Sequence, residues 1–91
     1  MSFILVKCKA GNYSKWRNAF DDAADMRKKG GEINSRVFQH ADNEHEMVIL
    51  MEWEDHKKAK KFVQSKELRA CMKKAGIIGK PGIYLLNEII Q

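Results

Sequence analysis

The sequence predicts an α+β fold in which two helical regions pack on one face of a four-stranded antiparallel sheet. Segments with strand signals and segments with helical periodicity follow one another in the order β-α-β-β-α-β. The chain, residues 1–91, has the length of a single domain and contains no linker rich in Pro, Gly or Ser. The first, third and fourth predicted strands carry apolar residues on both faces, which indicates a sheet covered on both sides.

The first half of the chain predicts one strand and one helix. Residues 3–9, FILVKCK, form a β-rich run with four consecutive apolar side chains. Apolar residues then recur at three- and four-residue spacing, and this stripe continues to Met26 or Arg27. Asn12 or Ser14 is expected to cap the helix start, and the basic residues near its end complement the helix dipole. Two glycines allow a left-handed exit.

The second half predicts a hairpin, a broken helix and a last strand. Residues 32–40 alternate in character with period two, the turn sequence ADNE follows, and residues 45–53 restart the strand signal. Asp55 is expected to cap the second helix, whose apolar stripe changes phase so that the helix should kink or restart near Ser65. The segment IIGKPG is expected to connect it to a strand over residues 83–90.

The apolar residues of the third strand occupy both of its faces. Met47, Ile49 and Met51 point to one side of the predicted sheet, and Val48 and Leu50 point to the other. Helices cover only one face of a β-α-β-β-α-β sheet, the ferredoxin-like arrangement. An uncovered second face would leave an apolar patch larger than a monomer usually exposes, so we expect two sheets to pack together in a homodimer.

Several stretches resemble one known family. They are YSKW and the following Phe on helix one, VILMEWED before helix two, and SKEL together with MKKAGIIGKPGIYLL. With the chain length, they resemble the antibiotic-biosynthesis-monooxygenase-like group of the dimeric α+β barrel superfamily, and especially its small cyclase-like members. The resemblance implies two sheets packed as a barrel between protomers, and a pocket between helices and sheet in each protomer.

The chemistry that the resemblance implies is diverse. It includes cofactor-independent oxidation of polycyclic aromatic compounds, haem degradation, lactone isomerisation and dye-peroxidase chemistry, so the fold alone does not choose a reaction. The haem-degrading branch uses an Asn on the first strand with a Trp and a His on the second helix. Those helix positions fall at Phe62 and Met72 here, and FILVKCK contains no Asn, which disfavours haem cleavage.

Arg36 and His40 are the candidate catalytic residues. Period two places them on one strand face with Asn34 and Phe38. A His near neutrality accepts a phenolic or acidic C–H proton, and an Arg stabilises the oxyanion that forms. The alternative, which we favour at this point, is a structural role at the sheet rim, with Arg36 pairing a carboxylate across the dimer and His40 in water at the hairpin.

Large apolar side chains form the candidate ligand pocket, suited to a flat aromatic molecule. The alternative is that each of them is an ordinary core residue. The candidates are Trp16, Phe20, Phe38, Trp53, Phe62, Met72 and Tyr84.

Other kinds of site have weaker signals. The stretch HADNEHE contains metal-ligand types, but its spacing matches no strong metal motif and is typical of a polar turn, so no metal is expected. The lysines of helix two form a basic surface that we interpret as solvated, because the aliphatic third strand lacks the stacking aromatics of ferredoxin-like RNA binders. Cys8 and Cys71 belong to no metal or redox motif and are expected to be reduced.

Composition limits the remaining possibilities. A net charge of +5, from 17 basic and 12 acidic residues, is too mild an excess to indicate nucleic acid as a partner. No apolar run is long enough to span a bilayer, and the N-terminus carries no secretory pattern, so we expect a cytoplasmic protein without membrane association. Two functions stay open: a monooxygenase- or cyclase-like enzyme with no tightly bound cofactor, or a non-enzymatic ligand-binding or structural dimer.

Overall fold

The computed structural model describes residues 2–89, which form one sheet with short helices. Its elements in chain order are β1 (Ser2–Ala10), α1 (Tyr13–Asp22), α2 (Ala24–Gly30), β2 (Glu32–His40), β3 (Asn43–Trp53), α3 (His56–Val63), α4 (Lys66–Lys74) and β4 (Ile77–Asn87). The strand order across the sheet is β2-β3-β1-β4, and each neighbouring pair is antiparallel. The predicted α+β fold class, with a ferredoxin-like four-stranded antiparallel sheet, is confirmed.

The first helical region consists of two segments, α1 and α2, that meet at Ala23. The Ala23 N–H donates to the Ala19 carbonyl at 3.2 Å, and the Arg27 N–H donates to the Ala23 carbonyl at 3.0 Å. Helical hydrogen bonding therefore continues through the junction. The Asn12 side chain accepts a hydrogen bond from the Lys15 N–H at 3.0 Å, so Asn12 is the capping residue.

The second helical region restarts at Ser65, as its change of phase predicts. The Asp55 carboxylate caps α3 by accepting from the Lys58 N–H at 2.8 Å. The Ser65 hydroxyl accepts from the Leu68 N–H at 3.1 Å and donates to the Phe62 carbonyl at 2.7 Å. One side chain therefore satisfies backbone groups at the end of α3 and at the start of α4.

The last strand begins earlier than the sequence predicts. The prediction treats IIGKPG as a connection and starts the strand within residues 83–90, whereas β4 runs Ile77–Asn87. The glycine-rich stretch stays in the sheet because it pairs with the end of β1, past a register shift just before Lys9. Gly79 has a φ of 71°, a backbone conformation that glycine adopts at no steric cost. Ile90 lies outside the described residues.

One face of the sheet carries the hydrophobic core. Alternate residues of β1 and β3 project towards the helices and pack against Trp16, Ala59, Phe62 and Leu68. The strand residues with the lowest exposure, all 4% or less, are Ile4, Val6, Ala10, Met47, Ile49, Met51 and Trp53. Within residues 2–89, no helix combines the length and the apolar character that a membrane crossing requires.

The intervening strand residues form the opposite face, here called the open face. Leu5 lies between Leu50 and Tyr84 in the register of the three adjacent strands, so these side chains form a row across the sheet. Tyr84 is 49% exposed, and Leu5 and Leu50 are half-buried by their neighbours within the sheet. The larger apolar side chains of the open face are Phe3, Leu5, Phe38, Val48, Leu50, Ile78, Tyr84 and Leu86.

Candidate functional site

A cavity of about 70 Å³ lies between the helices and the core-facing side of the sheet. Residues from both helical regions and from three strands line it. The lining includes Val6, Cys8, Trp16, Ala19, Phe20, Ala23, Met26, Arg27, Phe62, Cys71, Met72 and Ala75. The lining residues that are only partly buried, and so lie nearest to solvent, are Phe20, Met26, Cys71, Met72 and Ile77.

Small side chains leave the space that this cavity occupies. Trp16, Ala19 and Phe20 project from the same face of α1, because residues three and four positions apart are neighbours on a helix. Ala19, Ala23 and Ala75 each contribute only a methyl group to the wall. The cavity therefore lies where alanines, rather than larger side chains, stand between the helices and the sheet.

Aromatic rings form one side of the cavity. The Trp16 and Phe20 rings are stacked, with centroids 5.1 Å apart and planes 11° from parallel. Phe62 contributes a further ring and contacts Trp53 behind it, with centroids 4.7 Å apart. Such a wall offers flat, polarisable surface to an aromatic ligand.

Within residues 2–89, Arg27 is the charged residue in the lining. Its side chain is 6% exposed, and its Nε donates to the Glu32 carboxylate at 2.9 Å. Its Nη1 donates to the Phe20 carbonyl at 2.6 Å, and the guanidinium carbon lies 3.8 Å from the centroid of the Phe20 ring. Two hydrogen bonds and a ring stack thus fix the orientation of this cation inside an otherwise apolar wall.

The cavity contains two thiols. Cys8 is buried, and this burial raises the pKa of its thiol, so Cys8 stays protonated and is a poor nucleophile. Cys71 is partly exposed. Within residues 2–89 the lining holds no His, Asp or Glu, so it contains no ordinary general base.

The predicted pocket residues divide between the two faces of the sheet. Trp16, Phe20, Phe62 and Met72 line the cavity. Trp53 lies behind the wall, completely buried against Phe62. Phe38 lies opposite Val48, and Tyr84 lies opposite Leu5 in the row that also contains Leu50. Phe38 and Tyr84 therefore project from the open face.

Arg36 and His40 also lie away from the cavity. Arg36 is opposite Leu50 on the open face, with its guanidinium carbon 5.4 Å from the Phe38 ring centroid. The His40 Nδ1 accepts from the Asp42 N–H at 3.0 Å, and its Nε2 is 3.9 Å from a Glu46 carboxylate oxygen. The sheet therefore separates both candidate catalytic residues from the apolar cavity.

A larger hollow, of about 600 Å³, surrounds His40 at one end of the open face. Within residues 2–89, its polar lining includes Lys7, Lys9 and Lys80 and one carboxylate, that of Glu46. In the part of the chain that the structure describes, His, Cys, Asp and Glu form no group of three that would hold a metal ion.

The Arg27–Glu32 pair is the feature of the site that sequence reasoning missed. The helical stripe reaches position 27, but a basic residue near a helix end is also explained by the helix dipole. A signal was present: a cation on the apolar stripe, followed five residues later by a carboxylate. A buried cation requires such a partner, so the two positions together indicate an internal ion pair.

A family model shows the family to which the chain belongs, and solved structures show its fold. A family model described as antibiotic biosynthesis monooxygenase matches residues 2–74. No curated protein sequence matches the chain.

Solved structures resemble the chain over almost its full length. A conserved protein from Methanosarcina mazei has a TM-score of 0.77 at 15% identity, with 97% of this chain and 92% of that chain covered. SnoaB, a cofactor-independent oxygenase from Streptomyces nogalater, has a TM-score of 0.77 at 12% identity, with coverages of 99% and 93%. A Mycobacterium tuberculosis protein has a TM-score of 0.74 at 12% identity, with coverages of 99% and 96%. At these identities the likeness concerns the fold.

Proposed function

Because the chain belongs to the antibiotic biosynthesis monooxygenase family, we propose that it binds a small aromatic molecule in the cavity between helices and sheet and oxygenates it without a bound cofactor. The observation that carries the proposal is an apolar cavity with stacked aromatic rings and one oriented cation. Apolar walls with few, fixed polar groups are the usual character of a small-molecule site. The similarity to a cofactor-independent oxygenase supports the choice of reaction class.

The proposed chemistry requires a substrate that supplies its own electrons. A C–H bond beside an aromatic ketone loses its proton to solvent at the cavity mouth, and the resulting carbanion gives electrons to O₂. One oxygen atom ends in a new carbonyl group and the other leaves as water, so CH₂ and O₂ become C=O and H₂O. The protein contributes orientation, exclusion of bulk water and stabilisation of the anion.

The size of the cavity adds a condition to the proposal. A cavity of roughly 150 Å³ accommodates benzene, which is about twice the 70 Å³ present here. An aromatic ligand therefore has to displace side chains of the wall as it enters. Met26 and Met72 are suited to this, because methionine is unbranched and changes rotamer readily. Binding is thus expected to move these two side chains first.

Oxygen consumption tests the proposal. Anthrone is an aromatic ketone whose CH₂ group bridges the two rings that flank the carbonyl. It is added to the purified protein without any cofactor. We expect protein-dependent uptake of one O₂ for each quinone carbonyl formed, above the spontaneous rate. Met72→Trp fills the cavity mouth and should abolish the uptake, whereas Lys73→Trp places the same side chain on the exposed side of α4 and should not. Equal rates with and without wild-type protein contradict this activity.

A second candidate function, a ligand-binding dimer without catalysis, is favoured by one observation. Within residues 2–89 the cavity lining offers no His, Asp or Glu to accept a proton. A stabilising shift in the unfolding temperature on adding an aromatic ligand, with no oxygen uptake, would select this second candidate.

The assembly that we propose is a homodimer through the open face. The row formed by Leu5, Leu50 and Tyr84 supports it, since it continues across three strands and has no helix against it among the described residues. Two such faces packed against each other remove this apolar surface from water. The cavities then lie on the outer, helical sides of the dimer.

A further inference from the structure

We infer that Arg27 is the ligand-anchoring residue of the cavity and that it selects neutral aromatic ketones and quinones, whose carbonyl oxygen accepts a hydrogen bond from its Nη2. The inference rests on the proposed function, because it names the substrate class of that same site. It starts from a buried cation that lines an apolar cavity and has hydrogen-bond donors to spare.

The guanidinium uses part of its donor capacity within the protein. An arginine side chain carries five N–H groups. Nε donates to Glu32 and Nη1 donates to the Phe20 carbonyl, while Nη2 makes no hydrogen bond within residues 2–89. Among the described residues, the one side-chain nitrogen or oxygen that is both fully buried and without a hydrogen-bond partner is Trp53 Nε1. Nη2 has no partner but is not in that class, so it keeps some accessible surface. We place these free N–H groups towards the cavity, because Arg27 is one of the residues that line it.

The orientation of Arg27 is fixed before any ligand arrives. The contact of its guanidinium with the Phe20 ring, at 3.8 Å, and its two hydrogen bonds hold the plane of the group. A ligand oxygen therefore meets a donor that loses little conformational entropy on binding. The ring of the ligand meets the stacked Trp16 and Phe20 rings at the same time.

The partner of Arg27 determines which acceptors the cavity prefers. Glu32 is 4% exposed at its side chain and lies 2.9 Å from Nε, so the pair has no net charge. An anionic ligand would meet the attraction of Arg27 and the repulsion of Glu32 together, and it would also lose its hydration. A neutral carbonyl oxygen loses less hydration and still receives the hydrogen bond. When a substrate carbonyl becomes an enolate, the same donor stabilises the charge that develops.

Three probes of nearly equal shape separate these contributions. Acetophenone has a neutral carbonyl, α-methylstyrene replaces the carbonyl oxygen with CH₂, and benzoate is anionic. Dissociation constants are measured by NMR titration of the purified protein. We expect acetophenone to bind about tenfold more tightly than α-methylstyrene, the ratio typical of one charge-assisted hydrogen bond, and benzoate to bind no more tightly than acetophenone.

Two variants assign the preference to Arg27. Glu32→Gln keeps an oxygen acceptor for Nε but removes the negative charge, so benzoate should gain about tenfold in affinity while α-methylstyrene stays unchanged. Arg27→Met with Glu32→Leu removes donor and charge together and should make acetophenone and α-methylstyrene bind equally. Arg17→Met alters an exposed arginine on α1 and is the matched control, with wild-type values expected for all three probes.

The outcomes distinguish this inference from the function on which it rests. Equal wild-type affinities for acetophenone and α-methylstyrene would overturn the role of Arg27 and leave the aromatic cavity in place. No binding of any of the three probes would overturn the cavity as an aromatic site, and this inference with it. The wild-type comparison decides the matter even if a variant fails to fold.

Discussion

At the scale of single residues, the pairing of Arg27 with Glu32 concentrates polar chemistry at one point of an apolar wall. Both side chains are buried, and each is the main charged neighbour of the other. Two charges in such a place are costly to desolvate, so the pair adds little net stability while either charge left alone is strongly unfavourable.

The stability of variants tests this view of the pair. Arg27→Met alone leaves the Glu32 carboxylate buried without its partner and should lower the free energy of unfolding by about 3–5 kcal/mol. Arg27→Met combined with Glu32→Leu should recover most of that loss. Urea denaturation monitored by circular dichroism measures both. A double variant as unstable as the single one would show that packing, rather than charge, causes the loss.

Residue patterns predicted the wall of the cavity better than its polar group. Trp16 and Phe20 follow from helical spacing alone, because one element determines their common face. Arg36 and His40 were also expected to share a face, but only the pairing of β2 with β3 decides that this is the open face. The burial of Arg27 depends on its contact with Glu32 across the turn between α2 and β2. The periodicity of a single helix or strand does not predict such a contact.

At the scale of elements, side-chain caps define where the helices begin. Asn12, Asp55 and Ser65 each accept a hydrogen bond from the N–H three residues later, at α1, α3 and α4 respectively. Ser14, the other capping candidate for α1, lies within the helix and is exposed. These start points orient the helices that form the cavity wall.

Two alanine substitutions test the assignment of the α1 cap. Asn12→Ala removes the acceptor for the Lys15 N–H and should cost about 1 kcal/mol of folding stability. Ser14→Ala removes the hydroxyl group of an exposed residue within α1, two residues later in the chain. This variant should change stability by less than about 0.5 kcal/mol. Thermal and urea unfolding of the two variants provide the comparison, and equal losses would contradict the cap.

Element boundaries were predictable where local signals act alone and failed where strand pairing overrides them. The caps, the hairpin and the restart at Ser65 follow from side chains within a few residues. The start of β4 does not, because pairing with β1 holds a glycine- and proline-containing stretch in the sheet. A register shift likewise leaves Ile33 53% exposed and buries Glu32, against simple alternation in β2.

At the scale of the whole molecule, the two faces of the sheet have different roles. The helices cover one face and enclose the cavity there. The open face keeps its apolar row of Leu5, Leu50 and Tyr84, which the sequence pattern of β1, β3 and β4 made predictable. The cavity volume was not predictable, because it depends on how closely small residues let helix and sheet approach.

The homodimer proposal predicts a mass in solution. At micromolar concentration, light scattering should give twice the 10.5 kDa of one chain. Leu50→Lys places a charge in the middle of the open face and should reduce the mass to that of one chain. Tyr13→Lys makes the same kind of change at an exposed aromatic residue on α1 and should leave the dimer intact. A wild-type monomer would contradict the proposed assembly.

A crystal structure of the protein soaked with acetophenone tests the central claim, that the cavity is an aromatic site anchored by Arg27, most directly. We expect the aromatic ring to lie against Trp16 and Phe20, Met26 or Met72 to be displaced, and the carbonyl oxygen to lie within hydrogen-bond distance of Arg27 Nη2. Acetophenone on the open face, or an unchanged cavity at saturating concentration, would contradict it.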